Sequence, residues 1–363
     1  MAENIQFDFS NFDFHRSNPD ISLQNHVRQK VIALGAEVVS LQRIYLDLRF
    51  WILFRDVSIG RNQDKHLTDL LVFLKASVSE GKAICPISES IFIELFKQND
   101  KSSKIATAQL IDELSLGVTL IRQDHRVRQE LCNSFYAQAG VKELIPVQEL
   151  VWTKLTYVLG EVHPSNTQFS PEVELVIQKS FFDLLWNTRL TEIAEKIRAL
   201  PPSLDLDALA ADLNAKSRVH QSALRSYAQT FRVEFEGVLN LFRDDLNKLL
   251  EELVQRGYKE FGKGVENLSN NKRFEAFTLS IPTLHIGASC HAAVRWDKKR
   301  NLTSNDLFDF HHAEAALGYC NVFLTEKPLS IMLSQHHLGL KKYNCQIFWS
   351  PCDALTCLIN SRY

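Results

Sequence analysis

The sequence predicts an α/β domain with a central parallel sheet, split by an inserted all-helical domain. Up to about residue 122, short apolar runs alternate with amphipathic helical segments. From about residue 125 to 287 the periodicity is helical with few strand signals, and beyond 288 the alternation of helix and strand resumes. The expected organisation is therefore a tail and helix over 1–37, a first half-domain over 38–124, a helical insertion over 125–287 and a second half-domain over 288–363.

In chain order, Phe7, Phe9, Phe12 and Phe14 interleave with Asp8 and Asp13, a pattern for an edge strand or a docking tail. Asp20 is placed to cap a helix over 21–33, and residues 43–47 read as a buried strand ending in a carboxylate. Leu67, Leu70, Leu71, Leu74 and Val78 share one face of a helix that Gly81 ends. Residues 83–86 form a short strand, and Ser88 caps a helix whose apolar face carries Ile91, Phe92, Leu95 and Phe96, with Glu94 among them. Inside the insertion, residues 171–200 read as one helix stopped by Pro201 and Pro202, and residues 217–258 as a long one. A helix through Ala313, Ala316 and Leu317, a strand over 321–325, a helix over 328–335 and a strand over 345–349 complete the second half.

Lys and Arg number 41 against 43 for Asp and Glu, so a nucleic-acid or acidic-membrane partner would have to be held by a local patch. The seven cysteines include no Cys-x-x-Cys pair, which points to buried free thiols in a reducing cytosol; the spacing of Cys345, Cys352 and Cys357 matches no zinc motif. With no export signal and no apolar run long enough to span a bilayer, the expected location is the cytoplasm, with no membrane partner.

In an open parallel sheet, carboxylates placed just after the strands converge on a crevice at the strands' carboxyl ends. Asp47 and Glu326 directly follow strands, and Asp306 and Asp309 lie three apart in a first helical turn; Glu94 is the less obvious member. Two carboxylates roughly 5 Å apart at an effective dielectric near 20 repel by about 3 kcal/mol, so such a group needs a cation. All-oxygen ligation suits Mg2+ or Mn2+, which can support phosphodiester hydrolysis. Each acid also has an ordinary reading. Asp306 can serve as a helix cap, Asp309 as a first-turn charge, Glu94 as a solvated helix position and Glu326 as half of a surface pair with Lys327.

Taken in order, Ile44-Tyr45-Leu46-Asp47, Ser88-Glu89-Ser90-Ile91-Phe92-Ile93-Glu94, Asn305-Asp306-Leu307-Phe308-Asp309 and Phe323-Leu324-Thr325-Glu326 resemble the PIN-like nuclease family. The resemblance covers the two half-domains and leaves out the insertion. It implies a three-layer fold with a central parallel sheet and a metal-dependent endoribonuclease. Asp47, Glu94, Asp309 and Glu326 would be its metal-holding acids and Asp306 a catalytic neighbour. Two departures stand out: Glu326 takes a position that is usually Asp, and the small toxin members carry no such insertion. Glu89 is an alternative to Glu94.

For substrate, Arg295, Lys298, Lys299 and Arg300 offer phosphate-binding charges, Trp296 a stacking ring and Thr325 a hydroxyl at the strand end. Arg122, Arg126 and Arg128 form a second basic group, which suggests a substrate path at the junction of domain and insertion. His311 and His312 read as packing or hydrogen-bonding residues. The expected partners are single-stranded or structured RNA and a regulatory protein on the insertion, in the setting of a bacterial toxin or phage-defence effector. The alternative is a catalytically weak scaffold.

Overall fold

The computed structural model describes residues 10–197, 205–220, 224–258 and 271–360. Four short strands form a parallel sheet in the order β2-β1-β5-β6: β1 (Gln42–Leu46), β2 (Ala83–Ile84), β5 (Val322–Leu324) and β6 (Gln346–Phe348). The two central strands thus come from opposite ends of the chain, with Tyr45 paired to Phe323 and Leu46 to Leu324. Residues 44–46 and 322–324 are buried throughout, as expected of parallel strands covered on both faces.

The helices around the sheet are α1 (Ser10–Ser17), α2 (Leu23–Ser40), α3 (Leu48–Ser58), α4 (Lys65–Ser79), α5 (Glu89–Lys97) and α6 (Lys101–Ser115). A second sheet pairs β3 (Val118–Leu120) antiparallel with β4 (Trp152–Lys154), separated in sequence by α7 (Gln123–Gln138) and α8 (Val147–Leu150). An isolated parallel bridge between Ile87 and Thr119 joins it to the end of β2.

There follow α9 (Pro171–Trp186), α10 (Leu190–Lys196), α11 (Leu206–His220), α12 (Tyr227–Leu239), α13 (Arg243–Gln255), α14 (Asn271–Leu279), α15 (Pro282–Trp296), α16 (Ser304–Tyr319), α17 (Lys327–Leu333) and α18 (Pro351–Asn360). Helix α16 packs on both β1 and β5, while α18 packs on β6 and α4.

The insertion is not purely helical, because β4 lies within it. Nor is it separate in its packing: Trp152, Tyr157, Phe182, Trp186 and Leu190 belong to the same apolar core as the sheet. A second core, built on Phe135, Phe235, Leu253, Phe277 and Ile281, sits among α7, α12, α13, α14 and α15. Gly35 explains part of the junction, since a Cβ there would lie 1.8 Å from the Glu149 carbonyl oxygen, and α2 packs on α8 only because none is present.

Three helix readings need correction. Residues 171–196 form two helices because the Asn187 amide and Thr188 hydroxyl bond back to Asp183 O and Leu184 O, and the Asp112 carboxylate accepts from Leu190 N at 2.8 Å and Thr191 N at 3.0 Å to start α10. The expected stop at Pro201 and Pro202 lies outside the described residues. The 217–258 segment is broken, with Ser226 capping α12 and a 3-10 turn at Asn240–Phe242 before α13. The cap of α2 is Ser22 rather than Asp20, and that helix continues to Ser40. Phe12, Asp13 and Phe14 lie on helix α1, not on an edge strand; Phe7, Asp8 and Phe9 are outside the described residues. All seven cysteines are free, but only Cys85, Cys290 and Cys320 are buried; Cys132, Cys345 and Cys357 are half-buried and Cys352 is exposed. No described helix is long and apolar enough to cross a membrane.

Candidate active site

The β1–β5 register brings two carboxylate-bearing turns together. Asp47 follows the last residue of β1 and its backbone N–H donates to Leu324 O at 3.0 Å, so the turn after β1 lies against Thr325 and Glu326. Asp47 caps α3, with Oδ1 accepting from Phe50 N at 3.0 Å. Burial is the main reason its carboxyl rises to about 6, and Glu326 adds to the rise; the Phe50 N–H, His312 and the Thr325 hydroxyl oppose it.

Asp309, five residues inside the N-terminus of α16, is pushed up to about 7 by burial and by the carboxylates of Asp47, Glu326 and Asp306, against the opposing effect of His312. Its Oδ2 accepts a long bond of 3.3 Å from the Asn305 amide. Glu326 is exposed at the start of α17. The Thr325 hydroxyl is fully buried beside Asp47 and makes no hydrogen bond of good geometry. A buried hydroxyl without such a bond next to raised carboxyls is an arrangement that perturbed sites in proteins often share.

Glu94 joins this group through His312. His312 Nε2 lies 2.8 Å from Glu94 Oε2, and Nδ1 lies 2.9 Å from the Tyr45 hydroxyl, which is itself 2.6 Å from Ser88 Oγ. Burial pulls the His312 pKa down, but Glu94, Asp47 and Asp309 together lift it above its ordinary value. When His312 is protonated both ring nitrogens donate, Nε2 to Glu94 and Nδ1 to Tyr45, leaving the Tyr45 O–H for Ser88. The sequence reading of His312 as a hydrogen-bonding residue holds, but its partners, Glu94 and Tyr45, were not foreseen. Its signal was the three-residue step from Asp309, which sets both on one helix face. Ser88 starts α5, but its hydroxyl is used on Tyr45 rather than on the helix end.

Other expected residues are engaged elsewhere. Asp306 completes a capping box, accepting from Thr303 N at 2.8 Å and the Thr303 hydroxyl at 2.7 Å, and it also holds Arg300. Both its oxygens are occupied, so it acts on Asp309 only through its charge. Glu89 accepts from Gln123 N at 3.3 Å, on the side of α5 away from His312. Arg295 is largely buried against Glu234. Arg126 is buried, while Arg122 and Arg128 remain partly exposed but both pair with Asp124, and Arg128 also with Asp245, so their charge is largely taken within the chain. Lys298, Lys299 and Trp296 are exposed. Arg295, Lys298 and Arg300 line a cleft of about 660 Å³ together with Lys216 and Arg218 of α11. His311 is held neutral, its pKa lowered to about 3 mainly by burial.

A second set of buried carboxyls lies behind α16. Glu130 accepts from Tyr319 and from Thr283, and burial raises it to about 7; Glu314, reached by the Gln123 amide, rises to about 8 for the same reason. Arg126 opposes both shifts. The clue in the sequence was a charged residue inside the run Ala313, Ala315, Ala316. Comparison of the chain with family models, curated proteins and solved structures finds no match.

Proposed function

We propose that the chain is a PIN-like, metal-dependent endoribonuclease. The observation that carries this reading is the group of acids at the carboxyl ends of β1 and β5, where the β1–β5 register sets Asp47 against Thr325 and Glu326, Glu326 raises the Asp47 carboxyl, and both raise that of Asp309. Asp47, Asp309 and Glu326, with Glu94, would hold Mg2+ or Mn2+, and a hard cation suits an all-oxygen donor set.

The bound ion would supply an activated water and offset charge on the scissile phosphate. The chain's own residues do the rest. Asp309, with a pKa of about 7, would give up its proton on binding a cation, which would favour a positive ligand at neutral pH. His312 holds one oxygen of Glu94 and leaves the other for a cation. Lys298 and Lys299, near the Arg300–Asp306 pair, supply exposed charge for the RNA backbone.

The test is incubation of end-labelled single-stranded RNA with purified protein in Mg2+ or Mn2+. Cleavage should require the metal, stop on chelation, and be lost in Asp47→Asn and in Asp309→Asn with the fold intact by circular dichroism. No cleavage in either metal, or variants that cut as well as the parent, would return the chain to the scaffold reading.

A further inference from the structure

We propose that His15, His26 and Asp183 form a binding site for a divalent ion of the zinc class, which pins helices α1 and α2 to helix α9. The three side chains come from these three helices, and all are buried. His15 Nε2 lies 2.9 Å from Asp183 Oδ2, and His26 Nε2 lies 2.8 Å from Asp183 Oδ1. One ligand atom from each residue falls within 4.8 Å of the others. Around a tetrahedral zinc ion, ligands at about 2.0–2.1 Å from the metal stand roughly 3.3 Å apart. The two histidines now address different oxygens of Asp183, so an ion needs the three ligand atoms, all within 4.8 Å of one another, to draw in on a single point.

The donor chemistry selects the ion. Two imidazoles and a carboxylate suit zinc and its first-row neighbours, whereas Mg2+ prefers oxygen and retains its waters. The site is thus chemically distinct from the all-carboxylate group around Asp47 and Asp309. In the metal-free chain each neutral imidazole can donate its Nε2–H to one carboxylate oxygen. Metal binding moves that proton to Nδ1, a change of tautomer with no net loss from the ring. Three protein ligands leave a fourth position for water.

Two lysines bear on the cluster. Lys179 is fully buried, but its ammonium donates to Asn18 O at 2.9 Å and Ile21 O at 3.1 Å, which fixes the α1–α2 turn that presents the histidines. Lys30 Nζ lies 3.5 Å from Asp183 Oδ1 on a side chain 41% exposed, so it can swing into solvent when an ion enters. His15 and His26 meet edge to face with ring centroids 4.8 Å apart, and His26 also packs against Phe182, which restricts both rings to this geometry.

The experiment is titration of the metal-stripped, full-length protein with Co2+ alone. One equivalent should produce the visible absorption of a low-coordinate nitrogen–oxygen site, and Zn2+ should displace it. The band should persist in the Asp47→Asn/Asp309→Asn double variant, vanish in His15→Gln and His26→Gln, and appear at several-fold lower Co2+ concentration in Lys30→Ala. The proposal is overturned if the parent protein gives no such band, if the band survives His26→Gln, or if it disappears with the Asp47 and Asp309 changes. Should the histidine variants not fold, Lys30→Ala decides: an unchanged Co2+ affinity overturns the site.

Discussion

Asp47 and Asp183 are each 5% exposed, yet the first carboxyl sits at about 6 and the second at about 2. Burial pushes both upward. At Asp183, hydrogen bonds from His26 and His15, with Lys30 nearby, more than offset it. At Asp47 the neighbours include Glu326, and the backbone N–H of Phe50, His312 and the Thr325 hydroxyl compensate only in part. Equal burial with opposite protonation behaviour separates a carboxylate whose anionic form is held by hydrogen bonds from one whose like-charged neighbours disfavour it.

The largest expected effect is on catalysis. Asp47→Asn or Asp309→Asn should reduce metal-dependent RNA cleavage by more than the roughly 10- to 100-fold typical of losing a second-shell partner. Single-turnover rates at saturating metal measure it. His312→Gln, which frees Glu94 without removing a carboxylate, should fall within that 10- to 100-fold range, with part of the loss recovered at high metal concentration.

Stability should change in opposite directions in the two regions. Asp183→Asn leaves one accepting oxygen for two imidazoles and removes the charge that Lys30 faces, and should cost about 2–4 kcal/mol in urea unfolding. Asp309→Asn in metal-free buffer at pH 8 should instead gain about 1–3 kcal/mol. The sign follows from proton binding. Because Asp47 and Asp309 are raised to about 6 and about 7, the folded chain binds more protons than the unfolded one above about pH 4. Their contribution is fully present below that pH and is lost as pH rises through 6 to 7. Asp183, depressed to about 2, contributes above about pH 4 and loses that contribution as pH falls through 2. Parallel pH profiles for the Asp309 and Asp183 variants would erase the distinction.

The smallest effect is expected on substrate affinity. Neutralising the exposed Lys298 and Lys299 should weaken binding of single-stranded RNA several-fold and lower the salt slope by about 1.4, at about 0.7 per lost phosphate contact. An unchanged slope in fluorescence anisotropy would leave this segment a solvated loop.

The sheet and its acids were legible because their signals are local. Residues 44–46 and 322–324 are apolar runs followed at once by Asp47 and by Thr325-Glu326. What could not be read locally was set by distant partners. Asp112 starts α10 from 78 residues away, so a single helix pattern becomes two. Arg295 and Arg300 read as free charges, but Glu234 and Asp306 take them. His15 and His26 carried no metal spacing because their third member, Asp183, lies 168 and 157 residues further along the chain.

The pairing of β1 with β5 also has a temporal side. Arg43 N donates to Asn321 Oδ1 across 278 residues of chain, and Asp47 faces Thr325 in the same register. At about 5–20 residues per second, a ribosome needs roughly fifteen seconds to a minute to make that much polypeptide after Asp47 has been joined. Throughout that interval the strand that completes the sheet does not yet exist, and Asp47 has neither Asp309 nor Glu326 beside it. A nascent chain that has not yet reached Glu326 cannot bring these carboxylates together, so the acid group forms only after the whole insertion has been made.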